Sequence, residues 1–412
     1  MSATQPVYFD HAATTPMSAS ALAAMTEELS RTGNPSSLHG AGRRAHRVVE
    51  ESRERLAAAV GAHPSEVVFT SGGTESDNLA IKGLYWARTA QDPARRRILC
   101  STVEHHAVLD TVEWLAAHEG AEVTWIDVDS TGRIRLDVLE AEIARDPSSI
   151  ALATVMWANN EVGTVQPVAE AVALAAPHGI PVHSDAVQAF TSVPVGFRAA
   201  GLATLAVSAH KIGGPVGIGA LLVRRDIVLT AVQHGGGHER ALRSGTLNTA
   251  AAAAFAAAAQ EGASRLAAEA ERLAGLRDAL IDGVRAAVPD AVLSGPADPG
   301  HTGERLPGNA HFTFPGCEGD SLLFVLDMLG VQSSTGSACT AGVPRPSHVL
   351  LAMGHSEETA RGAQRFTLGH TTTADDVQTL VAALPEAHQR AKQAGMAAKQ
   401  SSIQTAGTGL SA

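Results

Sequence analysis

Short apolar runs alternate with amphipathic stretches along most of the chain. The apolar runs have the length of buried strands, and the amphipathic stretches repeat their apolar residues every three to four positions, as helices do. Continuous apolar strands between helices predict an α/β fold with a mostly parallel sheet that is covered on both faces. The predicted strands are residues 66–70, 97–101, 122–127, 150–157, 180–184, 202–207 and 219–223, which make a seven-stranded sheet. The predicted helices are 18–30, with Ser18 as N-cap, 45–60, 75–88 and 105–118.

The second part of the chain has a different pattern. An alanine-rich run, 250–259, opens a long helical region that reaches about residue 288 and is expected to link two domains. Apolar segments beyond it predict a smaller α+β domain. We expect a large domain over 17–255, a small domain formed by 1–16 and 256–390, and a disordered tail, 391–412, because the tail lacks apolar periodicity.

Composition excludes several classes of protein. The chain has 412 residues, 45% of them apolar, and a net charge of −11, which gives no electrostatic case for binding nucleic acid or an acidic membrane surface. We find neither a signal peptide nor an apolar run long enough to span a membrane. The cysteines Cys100, Cys317 and Cys339 are too far apart for a disulfide framework or a metal-binding pair. We expect a cytoplasmic protein without a metal site.

A lysine follows the predicted strand 202–207. The strand ends in Ser208-Ala209-His210-Lys211, and two glycines that permit a tight turn come directly afterwards. A lysine at such a place is usually a solvated surface charge. In a dry pocket, however, its pKa falls and its amine can form a Schiff base with an aldehyde. Because Ser208 and His210 are placed to bind an anion nearby, the segment predicts a site for pyridoxal phosphate (PLP).

Further polar residues follow other strands, at the edge of the sheet where ligands of open parallel sheets bind. Residues 70–75, Thr-Ser-Gly-Gly-Thr-Glu, open a helix whose N–H groups and dipole suit a phosphate, although such a turn is more often only a helix cap. His105 begins the next helix, where it could stack on an aromatic ring or move a proton. The adjacent His106 diverges from it by about 100° on a helix, so the two are a poor zinc pair.

The strand 180–184 is followed by a carboxylate. Asp185 ends a buried strand and therefore needs a cationic partner, which a pyridinium N–H would supply. Gln188 lies three residues further on and could reach the hydroxyl group of the same ring. Asn160 follows the strand 150–157 in an Asn-Asn-Glu sequence that is usually a turn. The glycine-rich, basic stretch 235–246 is either a flexible surface loop or a further phosphate contact.

Cys339 lies in a run of small polar residues, 333–342, which cannot pack a core and is expected to form an exposed loop. A free thiol in such a loop is a liability unless it has a chemical use. Cys100 lies inside an apolar strand and is expected to be inert, and Cys317 is expected to have no role. Arg365 precedes a short strand, where its planar guanidinium suits a substrate carboxylate, although most arginines make only surface pairs.

These segments together resemble the cysteine desulfurases of the NifS/IscS type, in the PLP-dependent class V aminotransferase family of fold type I. The resemblance runs from about Tyr8 to about Thr373. Its most specific motifs are 10–16 (Asp-His-Ala-Ala-Thr-Thr-Pro), 70–78, 208–215, 234–247 and 334–340.

The resemblance implies roles for individual residues. Lys211 would carry PLP as a Schiff base, Asp185 would pair with the ring nitrogen, His105 would stack on the ring, and Cys339 would be the nucleophile. Gln188 and Asn160 would contact oxygens of the ring or the substrate. Contacts to the PLP phosphate are implied for Gly73, Thr74, Ser208, His210 and, from the partner subunit of a homodimer, Thr246. Contacts to the substrate carboxylate are implied for Asn34, Asn160 and Arg365.

The implied reaction converts L-cysteine to L-alanine and leaves the sulfur on Cys339 as a persulfide for an acceptor protein. Iron–sulfur cluster assembly, tRNA thiolation and other sulfur pathways stay open as destinations. The chain departs from the family pattern at Ser184, where many members have an apolar residue, at His370, where many have arginine, and in its tail. A selenocysteine lyase or another class V enzyme is the first alternative, and a non-catalytic sulfur-carrier scaffold is a remote one.

Overall fold

Two hydrophobic cores organise the chain, a large one around a central sheet and a smaller one beside it. The computed structural model describes residues 6–298, 300–336 and 346–407, with side chains described as far as residue 394.

The strands and helices are as follows. The strands are β1 (Val7–Tyr8), β2 (Val67–Thr70), β3 (Arg97–Ser101), β4 (Glu122–Ile126), β5 (Ile150–Thr154), β6 (Val182–Asp185), β7 (Thr204–Ser208), β8 (Gly219–Val223), β9 (Val292–Leu293), β10 (Asn309–Thr313), β11 (Val331–Gln332) and β12 (Ala363–Thr367). The helices are α1 (Ala19–Leu29), α2 (Gly40–Val60), α3 (Gly73–Gln91), α4 (His106–Glu119), α5 (Leu136–Arg145), α6 (Val168–Ala175), α7 (Thr249–Ala287), α8 (Gly319–Met328), α9 (His348–Ala352), α10 (Glu357–Arg361) and α11 (Ala374–Gly407).

The central sheet has seven strands in the order β2-β8-β7-β6-β5-β3-β4. Strand β8 is antiparallel to both of its neighbours, and the other pairs are parallel, which confirms the predicted sheet. Successive residues of a strand face opposite sides. In β8, Ala220 and Leu222 therefore pack into one apolar cluster, while Leu221 and Val223 pack into another. The sheet is covered on both faces, so its polar functions are confined to the strand ends.

The second core lies around a small antiparallel sheet in the order β12-β10-β9. Phe312 and Phe366 pack there against Leu280 of α7 and Leu380 of α11. Helix α7 also contributes Phe255 to the core of the large sheet, so one long helix contacts both cores, as the alanine-rich run predicts. The division into domains at 17–255 and at 1–16 with 256–390 stays a prediction.

The N-terminal segment crosses from the small sheet to the large one. The Thr367 N–H of β12 donates to the Phe9 carbonyl at 2.7 Å, and the Ala12 N–H donates to Thr367 Oγ1 at 2.9 Å. A few residues later, the Thr15 N–H donates to the carbonyl of His210, which follows strand β7. The segment therefore joins the edge of the small sheet to the carboxyl end of the central sheet.

The C-terminal region differs from the sequence prediction of a disordered tail from residue 391. Helix α11 continues to Gly407 in the structure. Leu380, Leu384, Ala387 and Ala391 pack into the second core and anchor the helix, and the Ala, Gln and Lys residues beyond them are good helix formers that extend it. The missing apolar periodicity thus marks the end of packing rather than the end of the helix.

No helix within the described ranges combines the length and the apolar character needed to cross a membrane. Within the same ranges, no three His, Cys, Asp or Glu side chains come together in a way that could hold a metal ion.

The packing of α11 can be tested with two identical substitutions. Ala391 is fully buried, whereas Ala394, one turn further on, is exposed. Ala391→Asp buries an unpaired charge and should lower the free energy of unfolding by at least about 2 kcal/mol. Ala394→Asp should change it by less than about 0.5 kcal/mol. Urea unfolding of both variants measures this difference, and equal effects would show that α11 is not packed at residue 391.

Candidate active site

A cavity of about 390 Å³ opens at the carboxyl ends of the central strands, where the sequence predicts a ligand site. Arg365 and Ser334 line the cavity on the side of the small sheet. Ala12 and Ala13 line it on the side of the N-terminal segment. It brings together ten of the predicted site residues, namely Gly73, Thr74, His105, Asn160, Asp185, Gln188, Ser208, His210, Lys211 and Arg365.

Lys211 lies in a short 3-10 turn, Ala209–Lys211, directly after β7. Its Nζ donates to the carbonyl oxygens of Ala12 at 2.5 Å and of Ala13 at 2.8 Å. Gly213 has a φ of +82°, which favours glycine and lets the chain turn after the lysine. Gly214 has another reason to be glycine, because a Cβ there would lie 2.9 Å from the Ala209 Cβ. The two glycines thus fix the turn, and the N-terminal segment fixes the amine.

The surroundings of Lys211 favour its neutral form. The pKa of Lys211 is lowered to about 8, mainly by burial and also by the positive charge of Arg365, while Asp10 and Asp185 oppose the change. A free lysine side chain has a pKa near 10.4. A substantial fraction of the amine is therefore neutral near pH 8 and able to act as a nucleophile or a base.

Asp185 is the last residue of β6 and lies on the floor of the cavity. Its Oδ1 accepts a hydrogen bond from the Val187 N–H at 2.8 Å. Burial raises the pKa of Asp185, and its interactions with His105, the Val187 N–H and Lys211 oppose that rise. The carboxylate makes no ion pair with lysine or arginine among the described residues, so a cationic partner in the cavity would stabilise it.

Two more buried acids, one lining the cavity and one next to it, were not predicted from the sequence. Asp77 Oδ1 of α3 lies 3.1 Å from His183 Nε2, within hydrogen-bond distance. Burial, followed by repulsion from Asp185, raises the pKa of Asp77 well above its usual range. Burial and Asp185 also raise the pKa of Glu104 to about 8. The pKa of His183 falls to about 3 through burial, so His183 is neutral. An acidic residue within a segment that is expected to be buried, as at Asp185, is the sequence signal that could have identified Asp77 and Glu104.

His105 is the N-cap of α4. Its Nδ1 lies 3.1 Å from the Ala107 N–H and accepts from it, so Nε2 carries the proton of the neutral ring. Burial lowers the pKa of His105, with Lys211 and His106 adding to that effect and Asp185 opposing it. The ring therefore presents a neutral face and an N–H group rather than a positive charge at neutral pH.

The start of α3 forms a cradle that suits a phosphate. No side chain caps this helix, and the first N–H groups of any helix lack partners within it. A Cβ at Gly73 would lie 2.8 Å from Val187 Cγ2, so a larger residue would close the cradle. Ser208 and His210 face the same cavity, and burial lowers the pKa of His210 to about 4. The predicted anion site is therefore built from N–H and hydroxyl donors.

Arg365 extends from β12 into the cavity. Its Nη1 donates to the Asn160 carbonyl at 2.9 Å, and its Nη2 donates to Asp10 Oδ1 at 2.8 Å. Its Nε is buried without an acceptor among the described groups. The guanidinium thus has donors to spare for a carboxylate in the cavity.

Two of the described predicted residues are not brought into this cavity. Asn34 and Thr246 are exposed and do not line it. Cys339 lies outside the described residues. In contrast, His348 lines the cavity, with Nε2 donating to the Glu104 carbonyl at 3.0 Å, and no sequence pattern marked it as a site residue.

The residues present fit PLP. The cavity combines a lysine amine of lowered pKa, a buried carboxylate for the ring nitrogen, a neutral imidazole and an open cradle for the phosphate. Gln188 also faces the cavity, where its Nε2 donates to the Ala12 carbonyl at 2.8 Å. These groups match the aldehyde, ring nitrogen, ring face and phosphate of that cofactor.

Comparison with known proteins gives similarity over most of the chain. The family model "Aminotransferase class-V" matches residues 7–380. An "IscS-like cysteine desulfurase" of Mycobacterium tuberculosis is 52% identical over 391 residues, which is 95% of this chain and 98% of the relative. A solved "NIFS-LIKE PROTEIN" has a TM-score of 0.84 and 32% identity, covering 93% of this chain and 99% of its own. The structure "SspA in complex with cysteine" has a TM-score of 0.75 and 32% identity, covering 88% and 98%.

The lowered pKa of Lys211 predicts how cofactor binding depends on pH. With cofactor-free protein, the rate of PLP binding should rise with pH and reach its midpoint near 8, because only the neutral amine reacts. Arg365→Gln should move the midpoint upward, since it removes a cation that disfavours the charged lysine. Arg361→Gln, on an exposed surface, should leave it unchanged. Stopped-flow absorbance measures these rates, and a wild-type midpoint near 10 would contradict the assignment.

Proposed function

The chain belongs to the class-V aminotransferase family, and we propose that it is a PLP-dependent cysteine desulfurase that converts L-cysteine to L-alanine. The observation that carries the proposal is the shared cavity of Lys211, Asp185 and Arg365. It provides an amine of lowered pKa, a buried carboxylate and a carboxylate-binding guanidinium within one site. We infer that the substrate is L-cysteine from the relatives named as cysteine desulfurases and from the likeness to a structure that holds cysteine.

The residues divide the work of binding and proton transfer. When bound, PLP supplies an aldehyde for the substrate amine and a ring that accepts electrons from the α-carbon. Arg365 binds the substrate carboxylate through its unused N–H groups. Lys211, neutral in part at working pH, takes the α-proton, and His105 presents its Nε2–H beside it. Asp185 would pair with the N–H of the PLP ring, and Gly73, Thr74, Ser208 and His210 would hold the phosphate.

Cys339 is proposed as the nucleophile that removes the sulfur. Its thiolate attacks the sulfur of the substrate, so that an S–S bond forms while the substrate C–S bond breaks. The electron pair of that C–S bond stays with the carbon, which is protonated and leaves as alanine, and Cys339 is left as a persulfide. The segment that carries Cys339 begins beside the cavity, because Ser334 and Gly336 line it.

A second copy of the chain and a sulfur acceptor complete the proposal. Thr246 and Asn34 lie on the surface of a single chain, outside the cavity, and we propose that Thr246 reaches the phosphate site of a partner in a homodimer. Arg243 Nε donates to Glu75 Oε1 at 2.8 Å and so ties the loop that carries Thr246 to the first turn of α3. An acceptor protein for iron–sulfur assembly or tRNA thiolation would take the persulfide sulfur.

The role of Lys211 is tested by replacing it. Lys211→Ala should lose the visible absorbance that PLP gives on the wild-type protein. It should lower alanine formation by about 10²–10⁴-fold, because both the attachment point and the proton acceptor are removed. Lys82→Ala, on the surface beside Trp114, is the matched control and should keep both properties. An unchanged visible band in Lys211→Ala would place the Schiff base elsewhere.

The role of Cys339 is tested against a second cysteine. Cys339→Ala should keep PLP absorbance but lose alanine formation from L-cysteine, because the sulfur acceptor is gone. Cys317→Ala should keep activity, since burial raises the pKa of the Cys317 thiol to about 11 and its Sγ donates to the His388 carbonyl at 3.8 Å within the second core. Alanine release and persulfide labelling after one turnover measure both. Normal turnover by Cys339→Ala would refute the nucleophile assignment.

A further inference from the structure

The motif that begins at Asp10 borders the cavity, yet only its backbone has a part in the proposed chemistry, through the contacts of Ala12 and Ala13 with Lys211. The side chain of Asp10 contacts a different group. Its Oδ1 accepts a hydrogen bond from Arg365 Nη2 at 2.8 Å, and the side chain of Arg365 is only 5% exposed. A charge-assisted contact of a nearly buried guanidinium fixes both position and charge.

Arg365 is held from two sides in the plane of its guanidinium. Asp10 fixes Nη2, and the Asn160 carbonyl, from the loop after β5, fixes Nη1 at 2.9 Å. A guanidinium has five N–H donors, and these two contacts leave three. Nε is buried without an acceptor among the described residues. The contacts with Asp10 and with the Asn160 carbonyl therefore set the orientation of the guanidinium. That orientation decides which of its remaining N–H groups can meet a carboxylate.

Asp10 is itself fixed by the backbone. The N–H groups of Ala13 and Thr14 donate to the Asp10 carbonyl at 3.0 and 3.3 Å and form a tight turn. Asp10 also bridges to Thr367, two residues beyond Arg365 on β12. No other hydrogen bond to the Asp10 carboxylate occurs in the part of the chain that the structure describes. The geometry of this carboxylate thus serves Arg365.

Charge leads to the same conclusion. The carboxylate of Asp10 lies close enough to act on both Arg365 and Lys211. Without Asp10 the positive charge of Arg365 would lose its nearest counter-charge, and its guanidinium would keep only the contact with the Asn160 carbonyl. Asp185, at the end of β6, and His105, the N-cap of α4, interact with Lys211 from other elements.

We propose that Asp10 is a positioning residue that holds Arg365 in the orientation that receives the α-carboxylate of the amino-acid substrate. The inference rests on the proposed function, because it assigns Arg365 to the substrate carboxylate. Loss of Asp10 weakens ligands that have this carboxylate and spares ligands that lack it. This selectivity separates a positioning role from a general structural one.

The experiment compares L-cysteine with cysteamine, which has the same amine and thiol but no carboxylate. Binding of each to the PLP-loaded, full-length protein is followed by stopped-flow absorbance before turnover. Asp10→Ala should weaken L-cysteine binding by at least about tenfold, since a charged hydrogen bond to the arginine is lost, and should change cysteamine binding by less than about twofold. Asp10→Asn, which keeps an oxygen acceptor, should lie between wild type and Asp10→Ala.

The controls separate the possible failures. Asp137→Ala removes a comparable contact to Arg135 on the exposed surface and should alter neither ligand. PLP content and thermal unfolding establish that each variant is folded, and Asp10→Asn serves as the test if Asp10→Ala is not. If wild type binds both ligands equally, the role of Arg365 in the proposed function fails. If wild type prefers L-cysteine and both Asp10 variants keep that preference, only the role of Asp10 is overturned.

Discussion

The contact between the Lys211 ammonium and two backbone carbonyls, those of Ala12 and Ala13, joins the two parts of the site. The N-terminal segment that supplies these carbonyls is itself bonded to Thr367 at the edge of the small sheet. The position of the reactive amine on the central sheet therefore depends on the docking of the small sheet. The same docking shields the amine from water and lowers its pKa.

Buried acids give the floor of the cavity its chemical character. Asp77, Glu104 and Asp185 are shielded from solvent, and burial raises the pKa of each. A carboxylate is costly in such a place unless a cation is near, so a cation that enters the cavity beside Asp185 is stabilised more than it would be at the surface. A cofactor with a protonated ring nitrogen would supply that cation, and neutral His183 contacts Asp77 beside the same site.

Much of this arrangement was predictable because parallel strands place their carboxyl ends at one edge of the sheet. Lys211, Asp185 and His105 each follow a strand, so periodicity alone predicts that they meet. Arg365 joins them only through the packing of the small sheet. Its place in the site was predicted from the family resemblance and not from its spacing to the other residues. Contacts between distant segments, such as those of Asp10 with Arg365 and of His348 with Glu104, leave no local pattern. Asn34 and Thr246 are exposed and lie outside the cavity of one chain, so their roles stay predictions.

The central claim is that this cavity binds PLP at Lys211 and uses it on L-cysteine. The most direct measurement is the absorbance spectrum of the purified wild-type protein between about 300 and 500 nm before and after L-cysteine is added, with alanine and sulfide assayed in the same sample. The proposed function predicts a visible band that changes with L-cysteine while alanine accumulates in proportion to the sulfur released. A protein that shows no such band after PLP is added, or a band that L-cysteine does not change, would contradict it.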